Sequence, residues 1–109
     1  MKLDDAASYL AILGDPQRLR IYSDLARAGD AGLAPGQLQE RLGLGSPSLQ
    51  GQLEALREAG LIDLTPETAA PVYKANYEVM HQLVDFLLAE CCTEARTAPP
   101  VESLLLEGM

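Results

Sequence analysis

The sequence predicts a mainly α-helical domain carrying one small β-hairpin, and three observations predict it. Apolar residues recur at three- and four-residue spacing through residues 3–58 and again through 77–91. The dipeptides Asp15-Pro16 and Ser46-Pro47, with Gly29 and Gly60, divide the first stretch where helices start and stop. Between Gly60 and Asn76 the pattern changes to two short runs of strand-like composition, "LIDLT" and "VYKAN", separated by "PETAAP".

Residues 3–13 form the first helix, with Ala6, Tyr9, Leu10 and Leu13 in one stripe. The second helix begins at Pro16, whose missing N–H costs nothing in the first turn, and Asp15 is its N-cap. Leu19, Tyr22, Leu25 and Ala26 make its expected inner face, and Gly29 ends it. A short loop, "DAGLA", leads to a third helix opening at Pro35 and holding Leu38 and Leu42. The tight turn "GLGS" joins it to a fourth, with Ser46 as the expected cap, Pro47 as its first residue, and Leu49, Leu53 and Leu56 turned inward. The two short runs then pair as a hairpin with a loop. Asn76 caps a last helix over 77–91. Its apolar residues occupy two adjoining faces: Tyr77, Met80, Val84 and Leu87 on one, and Val79, Leu83 and Phe86 on the other. So wide an arc is expected to bury one face on its own domain and the other on a second copy. Residues 97–109 read as a proline-broken tail in which "SLLLEGM" is expected to dock as a turn of helix. The domain organisation is therefore one folded unit over 1–92 and a tail over 93–109.

A chain of 109 residues suffices for one domain, and one this small gains from dimerisation. It has neither a run of the ~20 apolar residues that a membrane helix needs nor the charged start and apolar stretch of a secretory signal. A soluble, cytoplasmic protein without a membrane partner is expected. The net charge of −8 argues at first against nucleic acid. Its distribution tempers that argument. Residues 77–109 set one base against six acids, whereas 16–76 hold six bases against seven acids. A catalytic reading finds no support: there is no Ser/His/Asp arrangement, phosphate-binding loop or paired-acid motif, and one histidine leaves little for general-base chemistry.

Helix, helix, helix, tight turn, helix, hairpin, helix is the order of a winged helix-turn-helix domain. Three stretches resemble the ArsR/SmtB family of metalloregulators. "AILGDPQRLRIYSDL" is similar to the family's opening, "LQERLGLGSPSLQGQLEALREAGLIDL" to its helix-turn-helix and following strand, and "NYEVMHQLVDFLLAECC" to the last helix of arsenic-sensing members, which can end in a cysteine pair. The resemblance covers roughly residues 6–92. It implies a homodimeric repressor of double-stranded operator DNA, dimerising through its first and last helices and released by a metal or metalloid. The sequence departs from the family at two places. Where the family's reading helix has Ser-Arg-His, this chain has Gln50, Gly51 and Gln52, and its wing loop "PETAAP" carries no cation. A glycine within an exposed helix weakens it by ~1 kcal/mol relative to alanine. Candidate DNA-binding residues are Ser46, Ser48, Gln50, Gln52, Arg57 and Lys74, glutamine being able to pair with adenine in the major groove. Arg18, Arg20 and Arg41 are further candidates for phosphate contacts.

Cys91 and Cys92 are the only cysteines. One reading makes them small apolar residues at a helix end. A redox sensor is a second, disfavoured because the partly negative helix C-terminus, with Glu90 and Glu94 nearby, opposes the thiolate. The family resemblance implies a third, a metalloid site. Trivalent arsenic is thiophilic and can expel the thiol protons as it binds. Inorganic arsenite prefers three sulfurs. Two thiols suit methylarsenite, or arsenite completed by hydroxide or by a cysteine of the other subunit, and antimonite is similar enough to compete. His81 and Asp85 stand four apart on the last helix, but zinc sites of that kind need more histidines than this chain has. An alternative of another class is a winged module for dimerisation or protein binding that has lost DNA binding; the acidic balance and cation-free wing favour it.

Overall fold

A computed structural model describes residues 1–65 and 70–91. Cys92, the 93–109 tail and residues 66–69 of the wing loop lie outside the described residues. In chain order the elements are α1 (Leu3–Leu13), α2 (Pro16–Ala28), a 3₁₀ turn (Gly29–Ala31), α3 (Pro35–Leu42), α4 (Ser46–Glu58), β1 (Ile62–Thr65), β2 (Val72–Ala75) and α5 (Tyr77–Cys91). The strands pair antiparallel, with Ile62 opposite Ala75, Asp63 opposite Lys74, Leu64 opposite Tyr73 and Thr65 opposite Val72.

Local chemistry sets these boundaries. Asp15 Oδ1 accepts from the backbone N–H of Gln17 at 2.8 Å and of Arg18 at 3.4 Å, satisfying two of the orphan donors of α2. Asn76 Oδ1 accepts from Val79 N–H at 3.3 Å at the start of α5. The same side chain donates to the Gly60 carbonyl at 3.1 Å, and its backbone N–H donates to Leu61 O at 2.9 Å. Asn76 thus ties α5 to the junction between α4 and β1. Gly60, at φ 82°, closes α4, and Leu61 N–H returns to Leu56 O at 3.0 Å. The start of α4 differs by one residue from expectation. Gly45 is the extended residue (φ −70°, ψ 157°), and its carbonyl accepts the first helical bond, from Leu49 N–H at 3.0 Å. Ser46 is therefore already inside the helix.

The core is one cluster built from every helix and both strands. Its fully buried members are Ile21, Leu25, Leu38, Leu49, Leu53, Leu56, Leu61, Ile62 and Leu83. The second helix is its hub, touching α1, α4 and β2. Leu19 overturns one expectation: it is 51% exposed, and Ile21 is the buried residue instead. Helical geometry explains the exchange. Ile21, Tyr22 and Leu25 share a face, and Leu19 sits about 200° around the axis from Ile21. The "DAGLA" loop also holds more structure than its composition implies. After the 3₁₀ turn, Leu33 forms a bridge with Tyr73, donating to Tyr73 O at 3.0 Å and accepting from Tyr73 N–H at 2.9 Å. Gly32 makes that approach possible: at φ +65°, a Cβ there would stand 2.6 Å from Tyr73 O. The hairpin is thereby anchored through β2 to the loop before α3.

A candidate nucleic-acid interface

Helices α3 and α4, joined by Gly43, Leu44 and Gly45, form the helix-turn-helix pair, and the β1–β2 hairpin stands after it as the wing. Gly43 takes the left-handed conformation (φ 65°, ψ 27°) that ends α3 sharply and lets α4 start in a new direction. Burial of Leu49, Leu53 and Leu56 fixes which side of α4 faces outward. On that side Ser46, Pro47, Ser48, Gln50, Gly51 and Glu54 are exposed. Of the candidate base readers Ser48, Gln50 and Gln52, the first two are therefore open to solvent on the N-terminal half of the helix, as is Ser46. That is the part of a reading helix that meets base edges in the major groove.

The remaining candidates are placed differently. Gln52 is half-buried and both ends of its amide are engaged, its Oε1 by Arg18 at 3.1 Å and its Nε2 by Gln17 Oε1 at 3.0 Å. Arg57 is exposed on the last turn of α4, about 16 Å along the axis from Ser46. It shares a shallow groove with Glu54 and Glu58, two acids that offset its charge. Lys74 lies on β2 directly across from Asp63, which offsets part of its charge. Arg18 differs from Arg20 and Arg41, which are exposed. Its Nε donates to the Ile12 carbonyl at 2.6 Å, and its Nη1 binds Gln52 and lies 3.8 Å from Asp15 Oδ2. Its guanidinium is thus spent largely within the chain. Sequence spacing did not reveal this network, because its partners lie 34 and 35 residues apart.

Cys91 is exposed as the last residue of α5, and no disulfide partner accompanies it among the described residues. His81 and Asp85 are both exposed. Among the described residues no group of three or more His, Cys, Asp or Glu side chains is arranged to hold a metal ion. Exposed apolar side chains gather on the two end helices: Leu3 and Leu10 on α1, and Tyr77, Val84 and Leu88 on α5. These helices pack on each other, so the uncovered surface belongs to one layer. Among the described residues no helix is long and apolar enough to cross a membrane.

Comparison with known proteins agrees with this geometry. The helix-turn-helix domain family matches over residues 13–65. The biofilm growth-associated repressor of Agrobacterium fabrum is 31% identical over 88 residues, which cover 81% of this chain and 73% of that protein. The crystal structure of the transcriptional repressor BigR from Xylella fastidiosa is 29% identical, with a TM-score of 0.63 over 79% of this chain and 85% of that one. An ArsR-like transcriptional regulator from Rhodococcus sp. RHA1 shares the fold, with a TM-score of 0.74 at 24% identity over 85% of each chain. The chain belongs to the ArsR-like family of winged helix-turn-helix transcriptional regulators, and it is a regulator, not an enzyme.

Proposed function

We propose that this protein is a homodimeric repressor that holds operator DNA through α4 and releases it when Cys91 and Cys92 capture a trivalent arsenical. The observation that carries the DNA-binding part is the exposed N-terminal half of α4, where Ser46, Ser48 and Gln50 are all open to solvent. The relatives named as repressors support the same reading. Two copies joined through α1 and α5 would cover Leu3, Leu10, Val84 and Leu88, and would set two reading helices about one turn of DNA apart on a palindrome. The cations available to phosphates are few, so affinity is modest and its salt dependence shallow.

The inducer part rests on the chemistry of the cysteines. Cys91 is open to solvent at the end of the helix that would form the dimer interface. Cys92 follows it in sequence, and the chain has no third thiol. Two sulfurs match an arsenical already carrying one carbon, such as methylarsenite. Release requires that the arsenical bind the DNA-free arrangement more tightly than the DNA-bound one, since equal affinity shifts nothing.

Fluorescence anisotropy of the full chain on its own upstream duplex, at two salt concentrations, tests both parts. Saturable binding that methylarsenite reverses, and that survives methylarsenite in Cys91→Ser, supports the proposal. Absence of saturable binding at low salt favours a winged protein-interaction module. Binding reversed by peroxide and indifferent to methylarsenite makes the thiols a redox sensor instead.

A further inference from the structure

The outward residues of α4 divide into two kinds. Ser46, Ser48 and Gln50 are exposed, and among the described residues their side chains make no hydrogen bond to another part of the fold. Gln52, by contrast, sits in a network that crosses three helices. Its carbonyl oxygen accepts from Arg18 Nη1 at 3.1 Å, and its amide nitrogen donates to Gln17 Oε1 at 3.0 Å. Arg18 Nε reaches on to the Ile12 carbonyl in the last turn of α1 at 2.6 Å. Asp15 holds the Gln17–Arg18 end in place through their backbone N–H groups. To read adenine, a glutamine needs both its amide oxygen and its amide nitrogen. Gln52 would have to abandon both partners to do so, leaving a half-buried guanidinium group short of an acceptor.

Geometry gives the network a purpose. Gln50 and Gln52 are separated by about 200° around the helix. Holding Gln52 against α2 turns Gln50 outward. Leucine packing alone tolerates small rotations of a helix, whereas directed hydrogen bonds narrow them. We infer that Arg18 and Gln52 are positioning residues that clamp the rotation of α4 against the α1–α2 corner, and that base reading falls to Ser46, Ser48 and Gln50. The inference rests on the operator-binding reading given above.

The test is a panel of operator duplexes, each with one base pair changed, titrated with the full chain and its variants. Gln50→Ala should lower the preference at a single base pair of each half-site by about tenfold and leave the other positions unchanged. Gln52→Ala and Arg18→Met should each weaken every duplex by the same factor, about 5- to 30-fold. The double variant should match the single ones within about twofold, because both remove one network. Arg18→Lys keeps the charge but lacks the planar fork, and should behave as Arg18→Met; rescue by lysine would make Arg18 a simple phosphate contact and overturn the inference. So would loss of preference at one base pair in Gln52→Ala, or effects of the two substitutions that multiply. Should Arg18→Met fail to fold, Gln17→Ala removes the other Gln52 partner and should weaken all duplexes alike; a loss confined to one base pair counts against the clamp. Wild-type protein that fails to hold any duplex defeats the operator reading itself. A selective loss in Gln52→Ala defeats the clamp alone.

Discussion

Gly32→Ala is expected to be among the most damaging single-methyl additions in this chain. Gly32 has φ 65° and ψ −174°, a region essentially reserved for glycine, and forcing alanine there costs about 1–3 kcal/mol. The added carbon would also stand 2.6 Å from Tyr73 O, 3.0 Å from Lys74 Cγ and 3.2 Å from Val72 Cγ2. The two side-chain atoms can give way. The carbonyl cannot, because it accepts from Leu33 N–H, and the paired bond from Tyr73 N–H to Leu33 O would be disturbed with it. Those two bonds contribute roughly 1 kcal/mol each, so the total is about 3–5 kcal/mol. A small domain has only ~5–15 kcal/mol in all. At 4–8 °C per kcal/mol, Tm should fall by at least ~12 °C. The assay is thermal unfolding followed by far-UV circular dichroism, at fixed protein concentration because dimerisation would make Tm concentration-dependent. Gly51→Ala is the matched control. A Cβ there meets nothing within 4 Å, and the site is an exposed helix interior, so stability should rise by ~0.5–1 kcal/mol. An unchanged Tm in Gly32→Ala would refute the reasoning about the hairpin's anchorage.

Three further outcomes follow from named contacts. Tyr22 is buried, and burial first, then the neighbouring Tyr77 phenol, raises its pKa above the ordinary 10.0. The folded state thus keeps this proton longer than the unfolded chain, so the associated stability is present below pH 10 and is lost as pH rises through the folded value. Tyr22→Phe should flatten that alkaline loss in urea titrations at pH 9–11, and an unchanged pH slope would contradict it. Asn76→Ala removes the cap of α5 and the bond to Gly60 O, and should lower stability by about 2 kcal/mol in urea unfolding; a loss below ~0.5 kcal/mol would show the junction to be solvated instead. Leu10→Glu with Val84→Glu, both on the uncovered α1–α5 layer, should convert a dimer to a monomer in light scattering with the circular dichroism spectrum unchanged. A dimer that survives both charges is joined through some other surface.

How much was legible in the sequence follows from the range of the interactions concerned. Proline, glycine and capping side chains act within a few residues. The spans of α1 and α5 therefore stand where their punctuation places them, with Asn76 capping as expected. The buried leucines of α4 follow from spacing alone, and the exposure of Ser46, Ser48 and Gln50 follows from those leucines. Leu19 departs from the expected inner face because a helix with apolar residues at both 19 and 21 offers two candidate faces, and only the packing of Ile21 and Leu25 chooses between them. The Leu33–Tyr73 bridge and the Arg18–Gln52 contact join residues 40 and 34 positions apart, and no local pattern encodes such pairs. Arg18 and Gln52 look in sequence like any polar residues of exposed helices. Only the fold shows that each is committed to the other.

Hydroxyl-radical footprinting of the purified protein on its own upstream DNA tests the central claim most directly. The account predicts two protected segments centred about one helical turn apart, each facing one copy of α4, with the protection erased by methylarsenite. Uniform cleavage at protein concentrations well above those of related repressors, or protection without any paired spacing, would contradict it.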